Sequence, residues 1–383
     1  MSAGAAIRAG DLVLARGEGA DPLAALAAQL SALGAGLEDV VDVVSFHRDA
    51  RDVPGFLEAA RGAFGEVPPA WTPIPVVSLE DPRARAAVRA IAHTGSAPKE
   101  GVTPDTIAWW RSLPVSAGCR RGDLVCVSGQ YGTDADGDVN TPGDDAGQAR
   151  NALNRVAEIV TRLGGRPQDV VDVWSCHQDP RGMAPAARVW EEEFRGDGRE
   201  APPAWTALGA PALYGLGMLG QYRALAELGG GDRVGATPAG GPWAGAPGGG
   251  AAAGGPGGGA PGGGPGAGAP GGGAAGKAGG RLVAVSGAAA EAPGGGVESP
   301  GDAAGQARAA LGHMERALRG MGASLADVVA IASFHLDLRD LDAVRAAAAE
   351  RLPGDRPPVW SAAGMTGFWR PGQLHALHAL AVR

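Results

Sequence analysis

Apolar and polar positions follow one another along this chain in an order that recurs three times. Leu124 to Gln130 (LVCVSGQ) and Leu282 to Ala288 (LVAVSGA) are runs of apolar β-formers that end in a Ser-Gly turn, the pattern of a strand. After each run, apolar residues recur at helical spacing: Ala149, Leu153, Val156, Val160 and Leu163 in one, Ala307, Leu311, Met314, Leu318 and Met321 in the other. Gly164 and Gly322 stand where a helix C-terminus is expected. A Val-rich run follows, present in triplicate: DVVDVVSFHRD from Asp39, DVVDVWSCHQD from Asp169 and DVVAIASFHLD from Asp327. A second helix with Trp190 and Phe194 on one face, a Pro-Pro-x-Trp strand ending at Trp71, Trp205 or Trp360, and a last strand, YRALAEL from Tyr222, complete the unit. The prediction is an α+β unit, one sheet with two helices on one face. Its bare sheet face needs a cover, and the other copies are the obvious one.

The unit exceeds the roughly 20 to 50 residues of a solenoid repeat and suits a small domain with its own core. Repeats two and three keep one length, since Ser128 maps to Ser286 and His177 to His335 at the same offset of 158. In repeat one, Leu12 maps to Leu124 at an offset of 112 but His47 to His177 at 130, so 18 residues around Tyr131 to Gln148 are missing from it. The expected organisation is a truncated unit at 1–93, a linker at 94–112, a full unit at 113–228, a linker at 229–279 and a third unit at 280–383. The second linker is almost wholly Gly, Ala and Pro and should be disordered. At about 50 residues it spans roughly 35 to 40 Å, enough to let the third unit dock on the other two.

Composition narrows the function classes. The chain is 45% hydrophobic, yet no stretch approaches the roughly 18 apolar residues of a membrane span, and its first residues lack a signal peptide's apolar core. A cytoplasmic protein without a membrane partner is expected. Cys119, Cys126 and Cys176 are an odd number without CxxC or finger-like spacing, which suggests neither a disulfide framework nor a metal site. A net charge of -8 runs against nucleic-acid binding, and no phosphate-binding glycine motif calls for a nucleotide cofactor. The expected partner is a small molecule, with no cofactor.

The order of a strand with SGQ, a helix, the DVV run, a second helix, PPAW and a last strand resembles the RidA/YjgF/endoribonuclease L-PSP family in all three units. The resemblance implies chorismate-mutase-like α+β domains, each a mixed sheet with two helices on one face. It also implies a trimeric arrangement with ligand clefts between neighbours, so three copies on one chain look like an intramolecular pseudo-trimer. The family's known activity is hydrolysis of 2-imino or enamine acids, with an Arg clamping the carboxylate, a task suited to a planar guanidinium. Here the Arg position holds Trp71, Trp205 and Trp360, the Glu of the last strand is Arg89, Arg223 and His378, and the Asn of the second helix is Leu57, Ala187 and Arg345. Only the Ser of the turn survives, as Ser128 and Ser286, with Arg16 in repeat one.

What replaces that machinery is itself patterned. Trp71 and Arg89, Trp205 and Arg223, and Trp360 and His378 are each 18 apart, and every copy carries His47, His177 or His335. A Trp face beside a cation is a favourable pair, and a His exchanges protons near neutral pH. These residues suggest a modified cleft: Trp as platform, Arg89, Arg223 or His378 as anchor, His177 and His335 as acid or base, Ser128 and Ser286 as polar groups. The first unit reads as structural support. Each residue has a structural reading too: Trp as interface packing, His as a hydrogen-bonded core residue, Arg as half of an ion pair, Ser as a turn residue. The functional expectation is an enzyme acting on an imine, enamine or related carbonyl compound by hydrolysis, dehydration or tautomerisation. The alternative is a non-catalytic metabolite-binding or partner-binding pseudo-trimer.

Overall fold

A computed structural model of the chain describes residues 4–194, 202–229, 235–236, 276–292 and 296–383. Each repeat forms its own sheet with one strand order. In the second, Gly118–Arg121 pairs antiparallel with Leu124–Gln130, which pairs antiparallel with Gly220–Glu227. That strand lies antiparallel to the His-bearing Val170–His177, which runs parallel to Ala204–Gly209. The first unit repeats this with Ala6–Ala9, Leu12–Glu18, Ala86–His93, Val40–His47 and Ala70–Pro75. The third does so with Gly276–Ala278, Leu282–Ala288, His375–Val382, Val328–His335 and Val359–Gly364.

The expected helices cover one face of each sheet. Asp145–Arg162 buries Ala149, Leu153, Val156 and Val160; the Asp144 carboxylate caps its start by accepting from the Gly147 N–H, and Gly164 ends it at φ +85°. Truncation of the first unit shows as a helix of 10 residues, Pro22–Ser31, against 18 in each of the others.

The bare faces cover one another. Leu12, Leu14 and Ile91 of the first unit, Leu124, Cys126 and Leu225 of the second, and Leu282, Ala284 and Leu380 of the third form one buried cluster along a pseudo-threefold axis. Burial pushes the Cys119 and Cys176 thiols up to about 12, so both stay protonated. The ring of units closes through the first unit's Ser78–Leu79, which adds a strand to the edge of the third sheet.

The two segments read as linkers are in part structured. Lys99–Val102 is the edge strand of the second sheet, and the short helix Asp105–Ser112 buries Ile107 and Trp110 in a core shared by the first two units. Most of 229–279 lies outside the described residues, but Gly276–Ala278 at its end is a strand of the third unit. Among the described residues no helix is long and apolar enough to cross a membrane.

Candidate functional site

The repeated Trp and His residues meet, but in the core. Trp71 Nε1 donates to Ser45 Oγ at 2.8 Å, and that oxygen lies 2.8 Å from His47 Nε2. Trp205, Ser175 and His177 repeat the chain at 2.7 and 2.8 Å. In the third unit Trp360 donates to Ser333 at 2.8 Å, while neither ring nitrogen of His335 has a partner among the described residues. All three histidines are buried on the helix-covered side. Burial lowers His47 to about 4, against the pull of Asp52, and His177 and His335 to about 3. They are neutral near pH 7, because burial disfavours the imidazolium form.

The residues spaced 18 apart do not form Trp–cation pairs. Trp71 is in register with Val43 and Arg89 with Val44; Trp205 and Arg223 flank Val173 and Trp174, and Trp360 and His378 flank Ile331 and Ala332, in the same way. Adjacent strand positions point to opposite faces, so the tryptophans face the helices while Arg89, Arg223 and His378 face the axis. There Arg223 donates to Asp42 at 2.7 Å and lies 3.7 Å from Asp172, which holds His378 Nε2 at 3.0 Å. Arg89 and Arg223 each stack on the Trp174 ring, 5.0 Å from its centre. Burial, and then Arg223, lowers Arg89 to about 10; burial opposes ionisation of Arg223 as well, but Asp42 and Asp172 raise it. This is a closed polar core rather than an anion anchor.

The three inter-unit clefts have diverged. Between units three and one, where repeat one has Arg16, Glu80 accepts from Arg345 at 2.6 and 2.8 Å and from Arg16 at 2.9 Å. Arg345 also lies 5.8 Å over the Trp360 ring, so an ion-paired plug fills that cleft. Between units two and three, at Ser286, Trp205 packs on Trp190 with ring centres 5.2 Å apart, and Ala289 and Ala376 occupy the positions that hold Tyr131 and Gln221 one repeat earlier. An outer groove of about 420 Å³ runs beside it. Both arginines of that groove are engaged, Arg181 with Asp179 and Arg370 with Glu291.

The cleft between units one and two is open. It holds a cavity of about 210 Å³ with three walls. Val53, Pro54 and Leu57 of the first unit's second helix, with Trp71, form one; Trp109 and Trp110 of the inter-unit segment form another. Tyr131, Tyr214 and Gln221 of the second unit form the third. Ser128 secures the seam, accepting from the Trp71 N–H at 2.8 Å and donating to the Ser116 carbonyl at 2.6 Å. Its hydroxyl is therefore a fastening, and the first unit supplies half of the open cleft. Of the residues singled out from the sequence, Trp71 lines this cavity; His177, His335, Ser128, Ser286, Trp205, Arg223, Trp360, His378 and Arg89 do not.

The cavity's polar groups are neutral and converge. Gln221 Nε2 donates to Tyr131 Oη, while Gln221 Oε1, Tyr214 Oη and Trp109 Nε1 have no partner among the described residues. Burial raises both tyrosines well above 10, with Gln221 opposing the rise at Tyr131, so their hydroxyls remain donors. An apolar pocket with a few converging polar groups is the usual form of a small-molecule site. Gln221, Tyr131, Tyr214 and Trp109 escaped the repeat comparison because none recurs; the Trp109-Trp110 pair in a stretch read as linker was the available signal.

Comparison with known proteins places the chain. The model of the family described as Endoribonuclease L-PSP matches residues 112–227 and 274–374. Over 104 residues the chain is 36% identical to the RutC family protein YjgH of Escherichia coli (strain K12), covering 26% of this chain and 74% of that protein. A solved member of the YjgF/YER057c/UK114 family from Mycobacterium tuberculosis is 26% identical over 34% of this chain and 100% of its own, with a TM-score of 0.29. A solved chorismatase is 16% identical, covers 98% of this chain and 100% of its own, and has a TM-score of 0.55. That likeness spans all three units and concerns the fold.

Proposed function

The chain belongs to the endoribonuclease L-PSP family, and from that premise we propose that it is a RidA-like small-molecule enzyme with one working cleft, between its first and second units. The substrate is an imine, enamine or related carbonyl compound. The observation that carries the reading is the 210 Å³ cavity in which the Tyr131 hydroxyl, accepting from Gln221, keeps its own proton for a ligand. A buried hydroxyl aimed at an imine nitrogen or carbonyl oxygen polarises the double bond, and fixed donors of this kind contribute about 10²- to 10³-fold to rate. In hydrolysis, water adds to the polarised carbon and the C–N bond breaks to give carbonyl and ammonia. Imino acids are not the expected substrates, since among the described residues no cation lines the cavity to hold a carboxylate.

The test is ammonia release from the imine of phenylacetaldehyde and from 2-iminopropanoate. Acceleration of the first alone, falling at least tenfold in Tyr131→Phe, supports the reading; acceleration of neither removes it. One observation favours a second reading: among the described residues none that lines the cavity titrates near neutral pH to serve as a general base. Under it the cleft binds the same class of ligand without turning it over, and a saturable ligand with no product would identify that case.

A further inference from the structure

We propose that the ligand of the cleft between units one and two is an uncharged, planar molecule of one or two fused rings with a lactam-like edge, a carbonyl or imine acceptor beside an N–H donor. The inference rests on that cleft being the site and adds the chemistry of its occupant.

Size comes first. Benzene occupies an engineered apolar cavity of about 150 Å³, so about 210 Å³ suits a molecule of one to two fused rings. Shape follows from the walls: Trp71, Trp109, Trp110, Tyr131 and Tyr214 surround a space whose remaining lining is chiefly Val, Leu and Pro. Aromatic walls favour a flat occupant, through stacked and edge-to-face contacts that add to area burial.

Charge is excluded by what is missing from the lining. Among the described residues no Arg, Lys, His, Asp or Glu borders the cavity, and a carboxylate or ammonium taken from water into such a space without a partner is strongly disfavoured.

The edge is set by Gln221, which is 2% exposed. One of the two Nε2 hydrogens goes to Tyr131 Oη, and Oε1 has no partner among the described residues. Tyr131 therefore offers a donor next to an acceptor on Gln221. A buried acceptor left unsatisfied is costly, so an occupant that presents an N–H to Gln221 and an acceptor to Tyr131 satisfies both groups at once. Neither the filled cleft at Trp205 nor the plugged cleft at Trp360 has this pair.

The full chain is titrated with quinolin-2(1H)-one, naphthalene and quinoline-2-carboxylate, followed by intrinsic Trp fluorescence and by the ligand-induced shift in unfolding temperature. Quinolin-2(1H)-one should bind in the micromolar range and at least tenfold more tightly than naphthalene, with the carboxylate at least a hundredfold weaker than the lactam. Gln221→Met, close in length and volume, should erase the lactam's advantage while changing naphthalene binding less than threefold. Leu57→Phe, which fills the cavity from the first unit's helix, should abolish both; Val53→Leu serves the same end if that variant fails to fold.

Carboxylate binding as tight as lactam binding, a lactam advantage that survives Gln221→Met, or no binding by wild type would overturn the ligand class. Lactam binding untouched by either filling variant would instead overturn the cleft as the site. Turnover of an acyclic imine lost in Leu57→Phe, with no lactam binding, would keep the cleft and discard the ligand class.

Discussion

Replacing His177 by Gln should change how stability depends on pH. The His177 side chain is buried and folds with a pKa of about 3, against about 6.5 when unfolded. Because the folded value is the lower one, the unfolded chain takes up the proton first. Stability is therefore whole above about pH 6.5 and falls as pH drops toward 3. At pH 5 the linkage relation gives a loss of about 2 kcal/mol for this one group. His335, also at about 3, and His47, at about 4, contribute nearly as much each, so the three together approach about 6 kcal/mol, a large part of a domain's usual 5–15. The repeated carboxylates Asp49, Asp179 and Asp337, held down to about 2 by their arginine neighbours, begin to matter only below about pH 4. The window between pH 6.5 and 5 is thus set by histidines. The assay is urea unfolding by Trp fluorescence at pH 7.5, 6.5, 5.5 and 5.0. Below about pH 6, His177→Gln should flatten the curve by one proton, about 1.4 kcal/mol per pH unit. An unchanged slope would refute a buried neutral histidine. A turnover pH profile that loses an inflection near 6.5 in the variant would restore the acid–base role suggested by the sequence.

Arg223→Leu should cost about 3–5 kcal/mol in the same unfolding assay, because it strands Asp42 in the core and leaves Asp172 with His378 alone; a loss under about 1 kcal/mol would mean the axis tolerates an unpaired carboxylate. Ser128→Ala removes the acceptor of the Trp71 N–H and the donor to the Ser116 carbonyl, so about 1–3 kcal/mol of stability and a severalfold loss of ligand affinity are expected; an unaltered titration would free Trp71 from that fastening. Glu80→Gln, in the largely buried plug, should cost about 1–3 kcal/mol and leave binding in the cleft between units one and two unchanged; altered affinity there would show the clefts to be coupled.

The parts of the fold that could be read from the sequence are those with strong periodicity and three copies. The helix through Leu153 and Val156, the Val-rich strand and the Trp strand lie where apolar spacing put them. The edge strand Gly118–Arg121 reads GCRR, too short and polar to announce itself, and Lys99–Val102 gains its structure only by pairing with it. Register defeated the Trp–Arg pairing: a constant spacing of 18 was visible, but not that the two strands flank consecutive residues of the central one. Tyr131 lies in the stretch that repeat one lacks, and Gln221 aligns with Ala376, so a comparison built on recurrence passes over both.

That failure follows from what a tandem allows. In a trimer of identical subunits one sequence must serve three clefts, so any residue that serves a cleft appears in all of them. Joining the units on one chain removes the constraint, and the clefts here use the freedom in three directions: Glu80 between two arginines in one, Trp190 against Trp205 in another, Tyr131 and Gln221 facing a cavity in the last. The elements that all three units must keep in order to pack, the Trp–Ser pair and the helix-covered histidine, are the ones that recur. In this architecture recurrence marks the scaffold, and the residues that distinguish one cleft are those without a counterpart. The same asymmetry gives the truncated first unit its role, since its Leu57 and Trp71 wall the cavity that Tyr131 reaches from the second unit, out of a stretch that repeat one lacks.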